Sequence, residues 1–255
     1  MQNYPQLTSR LLYLQNHVDE VSTLFILEAP FDNEIKKDCP CVGCTGEIMS
    51  KALFGPSFKT PLGDILNRKA RCIPNNAEKY AVFDTFKFPI DPIVAKELGI
   101  PCCDLWSPIN SQWGKIKELD RNIGRILNKQ KEETGFYNRP YHYKTLIQYI
   151  QNIDSDVLEI FINDYKADLR HAIKTFENLK DIVICGFIAQ SVFCFVYGMP
   201  YCIIPYRENF IVLEKRINIR FVNHPINVLK KRNNSLWQYK ATNTDPIHLN
   251  MNATC

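Results

Sequence analysis

The chain has 255 residues, of which 45% are hydrophobic and 12% are aromatic, so it can bury a sizeable core and global disorder is excluded. Its net charge of +4 is compatible with a nucleic-acid partner without identifying one. Because no apolar run approaches the roughly 18 residues of a membrane span, and the N-terminus lacks the apolar core of a signal peptide, we expect a cytoplasmic protein without membrane contacts.

Apolar runs that end in turn residues predict the strands, the first of which is "STLFILEAP" at 22–30. Apolar residues at helical spacing, followed by a glycine, predict a helix at 45–55. The two patterns then alternate, with strands predicted at 79–88, 181–186, 201–205 and 218–225, and helices at 113–179 and 187–198. The polar tail at 241–255 is expected to be loosely ordered.

This alternation indicates a single α/β domain over residues 1–255. We expect a central, largely parallel sheet of four to five strands, helices on both faces, and a helical insertion at about 113–180. In such sheets, ligands bind beyond the carboxyl ends of the strands. Since Glu28, Asp84, Gly186 and His224 lie at or near those ends, we expect them to share one cleft.

The chain contains ten cysteines, which in a reducing compartment are free thiols or metal ligands. Cys39, Cys41 and Cys44 lie close together in a polar loop. A metal site needs a fourth ligand, for which Cys72, Cys102 and Cys103 are candidates, but the chain has no second Cys-x-x-Cys pair. We therefore favour a loop of compact side chains and expect neither a metal nor another cofactor.

Four stretches of the chain occur in the same order as the sequence motifs of a known protein family. The first, "ILEAPFDNEIKKDCPCVGCTGEIMSKAL" at 26–53, contains Glu-Ala-Pro, a Pro-Cys-Val-Gly loop and a glycine at the start of a helix. The others are the strand at 79–88, "DIVICGFIAQSVF" at 181–193 and "HPINVLKKR" at 224–232. Together they resemble the motifs of the uracil-DNA glycosylase superfamily, and the first is most similar to the branch whose motif reads Gly-Glu-Ala-Pro-Gly.

The resemblance implies a DNA glycosylase, which flips a nucleotide out of the duplex and hydrolyses the bond between base and sugar. His224 would then stabilise negative charge on the departing base. Glu28 would be the carboxylate beneath the sugar, where positive charge develops. Asp32 is a second candidate for this carboxylate and Glu34 a third. Ala29 lies where some branches carry a water-activating aspartate, and it cannot take that role.

The segment after the His-Pro pair has the composition of a DNA-contacting wedge. By the resemblance, Val228 and Leu229 would fill the space that the flipped nucleotide leaves. Lys230, Lys231 and Arg232 would contact the flanking phosphates. The alternative is an exposed loop with solvated charges, and the other three motifs favour the interpretation as a DNA contact.

One departure from the family pattern bears on the target base. The family reads uracil with an Asn on the second motif, and alignment on Lys87 puts Asp84 in that place. An ionised Asp lacks the donor that uracil O4 requires, whereas it can accept from the exocyclic amine of cytosine with a proton shared at N3. We therefore expect a cytosine-type base. A slip of the alignment by one residue would put Thr85 there instead.

Two other departures concern the pocket wall and the cofactor. The family stacks a Phe on the base where this chain has the smaller Cys41, and Phe31 is the candidate for the aromatic face. Gly43, from the same loop, is expected to line the base pocket. Members of the most similar branch hold an iron–sulfur cluster, but residues 1–38 contain no cysteine, so we do not expect the cluster here.

Three functions remain open. A cytosine glycosylase must require a mark that host DNA lacks, so the first is excision of hydroxymethylated or glucosylated cytosine from phage DNA in antiviral defence. The second is ordinary uracil repair. The third is a DNA-binding relative without turnover, which the retention of Glu28 and His224 argues against. We expect a monomer whose partner is DNA and, if it is an enzyme, a monofunctional hydrolase.

Overall fold

The computed structural model describes residues 5–99, 155–197, 206–212, 215–222, 224–225 and 247–248. Within these residues, seven strands form one sheet. They are β1 (Leu11–Tyr13), β2 (Thr23–Leu27), β3 (Tyr80–Asp84), β4 (Asp181–Cys185), β5 (Tyr206–Val212), β6 (Lys215–Val222) and β7 (Ile247–His248).

The strands lie in the order β1-β3-β2-β4-β6-β5-β7. The central strands β3, β2, β4 and β6 are parallel, whereas β1 runs antiparallel to β3 and β5 antiparallel to β6. The predicted α/β class with a mostly parallel sheet is therefore confirmed. The sheet is larger than predicted, because β1, β5 and β7 extend it at its two sides, and the predicted strand at 201–205 lies outside the described residues.

Helices cover both faces of the sheet, as predicted. Numbered over the described residues, they are α1 (Asp32–Lys37), α2 (Cys44–Phe54), α3 (Leu62–Leu66), α4 (Pro92–Glu97), α5 (Ser155–Thr175) and α6 (Phe187–Val196). Residues of α5 and α6 belong to the core on one face, and residues of α2 and α3 to the core on the other. In the described part of the chain, no helix has the length and apolar composition that crossing a bilayer requires.

Strand β2 shows why the strands β2, β3 and β4 are mostly apolar. Leu24 and Ile26 are buried in the core on one face, and Phe25 and Leu27 are buried in the core on the other. Because side chains alternate between the two faces of a strand, a strand that is covered on both sides needs an apolar residue at every position. The polar residue that ends the run, Glu28, therefore marks the point where the chain leaves the core.

The last part of the predicted insertion is a core helix rather than an appendage. On α5, Tyr165, Leu169 and Ile173 are buried in the same cluster as the sheet residues. The helix is also joined to the first strand, because Arg10 forms ion pairs with Asp164 and Asp168. The rest of the predicted insertion, residues 113–154, lies outside the described residues.

Two residues of the C-terminal tail are part of the sheet. Ile247 and His248 form β7 and pair with Phe210 and Ile211 of β5. The tail is therefore attached to the sheet at these two positions, and its remaining residues lie outside the described part of the chain.

Candidate active site

Three residues that the sequence places far apart meet at the carboxyl edge of the sheet. Glu28 follows β2, Gly186 follows β4, and His224 follows β6. A Cβ atom on Gly186 would lie 2.3 Å from Oε1 of Glu28 and 3.2 Å from Cδ2 of His224. The carboxylate and the imidazole thus approach the same main-chain position, at the edge of the sheet where the strand order predicts a ligand site.

The carboxylate of Glu28 is oriented by the helix that follows β4. Its Oε1 accepts a hydrogen bond from the main-chain N–H of Ile188 at 3.3 Å, in the first turn of α6. The N–H groups of a first helical turn have no partners within the helix and carry partial positive charge. They therefore favour the ionised form of a carboxylate placed against them.

His224 is a neutral imidazole at physiological pH. Burial lowers the pKa of its side chain from 6.5 to about 4, because the charged form loses its hydration. A neutral imidazole donates from one ring nitrogen only, so it can stabilise a developing negative charge without carrying a full positive charge itself.

Gly186 is the position at which a small change should disrupt this arrangement. In Gly186→Ala, the new methyl group would overlap Oε1 of Glu28, and the residue has a φ of +89°, a conformation that side chains disfavour. We expect a loss of about 1–3 kcal/mol of stability from the backbone strain. Displacement of the Glu28 carboxylate should also lower any base-excision rate well below that of the wild-type protein.

Gly55→Ala is the matched control for this variant. Gly55 has a φ of +105° but nothing within 4 Å of its Cβ position, so alanine introduces strain without a clash. Thermal unfolding should show a loss of stability in both variants, and the excision rate should fall only in Gly186→Ala. Equal excision rates in the two variants would exclude a functional role for the contact between Gly186 and Glu28.

Asp84, the proposed base reader, is a buried carboxyl group with spare hydrogen-bonding capacity. It is the last residue of β3, pairs in register with Leu27, and its side chain is only 1% exposed. Its Oδ2 has no hydrogen-bond partner among the described residues. In the protein interior, such a group costs free energy unless a ligand supplies the missing hydrogen bond.

The structure also bears on the alternative reader, Thr85. The hydroxyl of Thr85 donates to the main-chain oxygen of Leu27 at 2.6 Å, and the Thr85 N–H donates to the same oxygen at 3.0 Å. Because the only hydroxyl proton of Thr85 is used by the main chain, Asp84 is the one of the two that can both donate and accept.

The protonation state of Asp84 differs from the one that the sequence argument assumed. Burial raises the pKa of Asp84 well above 3.8, and the nearby carboxyl of Glu34 raises it further, while Arg10 opposes the shift. The environment therefore favours the neutral form of Asp84, which has one O–H donor and one carbonyl acceptor. It has the donor that an ionised Asp lacks, so Asp84 alone does not exclude uracil.

Arg10, which the sequence analysis did not single out, holds the main chain around this reader. Its carbonyl oxygen accepts the N–H of Asp84 at 2.9 Å, and its Nη1 donates to the carbonyl oxygen of Thr85 at 2.9 Å. No local pattern marks Arg10, because its role depends on the pairing of β1 with β3.

The other proposed pocket residues lie on the loop between β2 and α2. The Phe31 side chain is 50% exposed at the start of α1. Asp32, the second candidate carboxylate, is in the first turn of α1 and forms an ion pair with Lys36 at 3.2 Å. Gly43 is the N-cap of α2. Cys41 is fully buried, with its Sγ 3.5 Å from Sδ of Met49.

Two glycines allow this loop to lie directly on the helices. A Cβ atom on Gly46 of α2 would lie 1.9 Å from the carbonyl oxygen of Cys41, and one on Gly63 of α3 would lie 2.1 Å from that of Pro40. The N–H of Gly63 also donates to the Cys41 oxygen at 2.9 Å. The main chain of Pro40 and Cys41 thus lies in direct contact with α2 and α3, at positions where only glycine leaves enough room.

No protein-family model matches the chain, and no curated protein matches it in sequence. The proposed wedge lies outside the described residues, namely Val228, Leu229, Lys230, Lys231 and Arg232.

Cys39, Cys41 and Cys44 of the polar loop are free thiols. Burial raises the pKa of the Cys39 and Cys41 thiols. Cys44 is exposed at the start of α2. Among the described residues, no three His, Cys, Asp or Glu side chains are grouped closely enough to hold a metal ion.

Proposed function

We propose that the protein is a DNA glycosylase that hydrolyses the bond between a flipped base and its deoxyribose and leaves an abasic site. The observation that carries the proposal is the meeting of Glu28 and His224 at Gly186, on the carboxyl edge of the sheet. A carboxylate and a neutral imidazole that approach one main-chain position suit a reaction in which positive charge develops on the sugar and negative charge on the base.

In this reaction, the ionised carboxylate of Glu28 stabilises positive charge on the sugar and orients a water molecule toward C1′. The bond between C1′ and the base nitrogen breaks, and its electron pair leaves with the base. His224 donates a hydrogen bond to the base oxygen on which that charge accumulates. Water adds its oxygen to C1′, and its released proton neutralises the departing base.

Asp84 supplies the base recognition in this proposal. Its neutral carboxyl group can accept from the exocyclic amine of cytosine and donate its proton toward N3, which makes the base a better leaving group. Because an enzyme that removed ordinary cytosine would damage its own host, we propose a cytosine with an added hydroxymethyl or glucosyl group, as in phage DNA, and a role in antiviral defence.

Uracil repair is the second candidate, and burial of Asp84, which raises its pKa and favours its neutral form, supports it. The same O–H can donate to uracil O4 while the carbonyl oxygen accepts from N3–H. The two candidates therefore differ in the direction of the hydrogen bonds that Asp84 makes, and not in the residues that cleave the bond.

The decisive experiment offers the protein matched oligonucleotides that contain uracil, cytosine, 5-hydroxymethylcytosine or its glucosylated form, followed by alkaline cleavage of abasic sites. Strand cleavage with a modified cytosine alone supports the first candidate, and cleavage with uracil alone supports the second. Tight binding to every oligonucleotide without cleavage would show a DNA-binding protein without turnover and would overturn the proposed activity.

The wedge provides a further prediction. Changing Lys230, Lys231 and Arg232 together to Ala should weaken duplex binding, because each lost phosphate contact reduces the slope of log K against log salt by about 0.9. Leu229→Ala should slow excision on duplex DNA more than on single strands, where no stacked partner has to be replaced. Binding titrations at several salt concentrations measure the first effect, and single-turnover rates measure the second.

The matched control for the charge removal is a triple Ala variant of Arg68, Lys69 and Arg71, which are exposed on the loop after α3. It removes the same number of positive charges from a different surface. Equal salt slopes for the two triple variants would mean that the 230–232 segment contributes only net charge and makes no specific phosphate contacts.

A further inference from the structure

Glu34 is a buried carboxyl group that joins the two ends of the segment 31–41, which contains the proposed base-pocket residues Phe31 and Cys41. It lies on α1 and is 4% exposed. Its Oε2 accepts the main-chain N–H of Phe31 at 2.7 Å, and its Oε1 accepts that of Cys41 at 2.6 Å. A third bond runs from the N–H of Cys39 to the Glu34 carbonyl oxygen at 3.0 Å. One residue therefore holds the loop at its start and at its end.

Only an ionised carboxylate can make this connection. Two N–H donors approach its two different oxygens, so both oxygens must act as acceptors. An amide in the same place would turn an NH2 group toward one of the donors. A protonated carboxyl group would likewise carry a hydrogen on one oxygen and lose one of the two bonds.

Burial of this carboxyl group costs free energy, because its charged form loses hydration. Burial raises the pKa of Glu34 to about 7, and the main-chain N–H groups of Phe31, Cys41 and Val42 work against that shift. Such a group is easily replaced by an apolar residue if packing is all that is needed. Its position between the two ends of the loop indicates a role in shaping that loop.

The charge of Glu34 also acts on Asp84, the proposed base reader. The negative charge of Glu34 contributes to the raised pKa of Asp84 on β3, and to the raised pKa values of the Cys39 and Cys41 thiols. The charge of Asp32, on the same helix, contributes to the raised pKa of Glu34 in turn. The charge that clamps the loop is therefore also a charge that favours the protonated form of Asp84.

The loop conformation that Glu34 holds is a strained one. Cys41 has a φ of +63°, which a residue with a Cβ adopts only when its surroundings impose it. Its N–H is one of the two that Glu34 accepts. Loss of the carboxylate would release the residue whose carbonyl lies against Gly46 and Gly63.

We propose that Glu34 is a positioning residue of the candidate site: its carboxylate accepts the main-chain N–H groups of Phe31 and Cys41, clamps the segment between them, and so holds these two residues where they would contact the base. The second half of this proposal rests on the proposed glycosylase function. The clamp itself is a property of the fold and can be measured without DNA.

The clamp should weaken on acidification. Above about pH 7 the Glu34 carboxylate is ionised and accepts both N–H groups, and below that value it takes up a proton and loses one of them. After correction for the intrinsic exchange rate, protection of the Phe31 and Cys41 amides from hydrogen exchange should therefore rise as the pH rises through about 7. This measurement uses the wild-type protein, so it does not depend on the folding of a variant.

Stability should follow the opposite trend. Because the pKa of Glu34 is raised from 4.5 to about 7 in the folded protein, the folded state binds the proton more tightly than the unfolded state in this interval. The contribution of Glu34 to the free energy of unfolding thus falls as the pH rises from 4.5 to 7, and is constant above that. In Glu34→Gln this contribution to the pH dependence should be absent.

Glu34→Gln is the variant that tests the clamp, and Glu20→Gln is its control, since Glu20 is exposed and pairs with His17 before β2. At pH 8, exchange of the Phe31 and Cys41 amides should be about tenfold faster in Glu34→Gln and unchanged in Glu20→Gln. Single-turnover excision should fall by roughly 10- to 100-fold in Glu34→Gln and should lose its acidic limb near pH 7.

Each half of the proposal has its own contrary result. Unchanged exchange of the two amides in Glu34→Gln, or protection in the wild-type protein that does not vary with pH, overturns the clamp whatever the activity. Faster exchange with an unchanged excision rate and pH profile overturns the positioning role. If the wild-type protein excises no base from any oligonucleotide, the proposed function fails, and with it the link to base reading, while the exchange data still decide the clamp.

Discussion

Glu28→Gln and His224→Ala should each lower the rate of base excision by about 100- to 10,000-fold, the effect usual for a group that stabilises charge in a transition state. The amide introduced by Glu28→Gln keeps an oxygen for the Ile188 N–H but carries no negative charge to stabilise the sugar. The alanine in His224→Ala removes the donor that faces the departing base. DNA binding should persist in both variants, because the phosphate contacts are proposed to lie elsewhere.

The controls are matched in residue type. Glu47→Gln changes an exposed carboxylate that pairs with Lys51 on α2, and His17→Ala removes an exposed imidazole that pairs with Glu20. Both should retain the wild-type excision rate in single-turnover assays. If Glu28→Gln and His224→Ala are as active as these controls, the site that joins Glu28, Gly186 and His224 is not catalytic.

The pH dependence gives a separate check on His224. Because burial lowers its pKa to about 4, protonation of His224 should not affect the rate near pH 6.5, where an exposed histidine titrates. An inflection near pH 6.5 that disappears in His224→Ala would contradict a buried, neutral imidazole.

The second large effect is expected for the base reader. Asp84→Asn should lower excision of the cytosine-type base by roughly 5- to 150-fold, corresponding to the loss of about 1–3 kcal/mol of transition-state stabilisation. An amide can form hydrogen bonds to the same edge of the base, but it is too weak an acid to transfer a proton toward N3. Activity on uracil should survive or increase, since the amide supplies a donor for O4 and an acceptor for N3–H.

Asp84 should also set the alkaline limit of the reaction. The wild-type rate should fall at high pH as the buried carboxyl group loses the proton that its environment holds, and this limb should be absent in Asp84→Asn. Asp181→Asn is the control, because Asp181 pairs with Arg220 and begins β4 at the opposite edge of the sheet. Efficient removal of uracil by the wild-type protein, with no change in Asp84→Asn, would contradict the cytosine proposal and favour ordinary uracil repair.

The sequence by itself predicts the central strands and the place where they deliver polar residues. The apolar runs that become β2, β3 and β4 are visible because a strand buried on both faces must be apolar at each position. The rule that ligands bind at the carboxyl edge of a parallel sheet then brings Glu28, Gly186 and His224 together. Their contact is the part of the candidate site that could be predicted without coordinates.

The outer strands and the core role of α5 could not be predicted in the same way. The residues of β1 are partly exposed, and β5 mixes charged with apolar residues, so neither has the periodicity of a covered strand. Each is a strand because a neighbour offers unpaired main-chain groups. The buried face of α5 likewise exists only against the sheet, which the chain forms from segments on both sides of that helix.

The sequence thus determined which residues reach the candidate site, and the tertiary structure alone decided their chemical state. Glu34 and Asp84 are separated along the chain, and both have raised pKa values because folding removes water from around them and brings one near the other. Desolvation and Coulombic coupling depend on distances across the fold, which no local pattern records. For that reason Asp84 is expected to be ionised from its residue type, whereas folding favours its neutral form, and Glu34 has contacts that support our proposal of a loop clamp beside its prediction as the third candidate carboxylate.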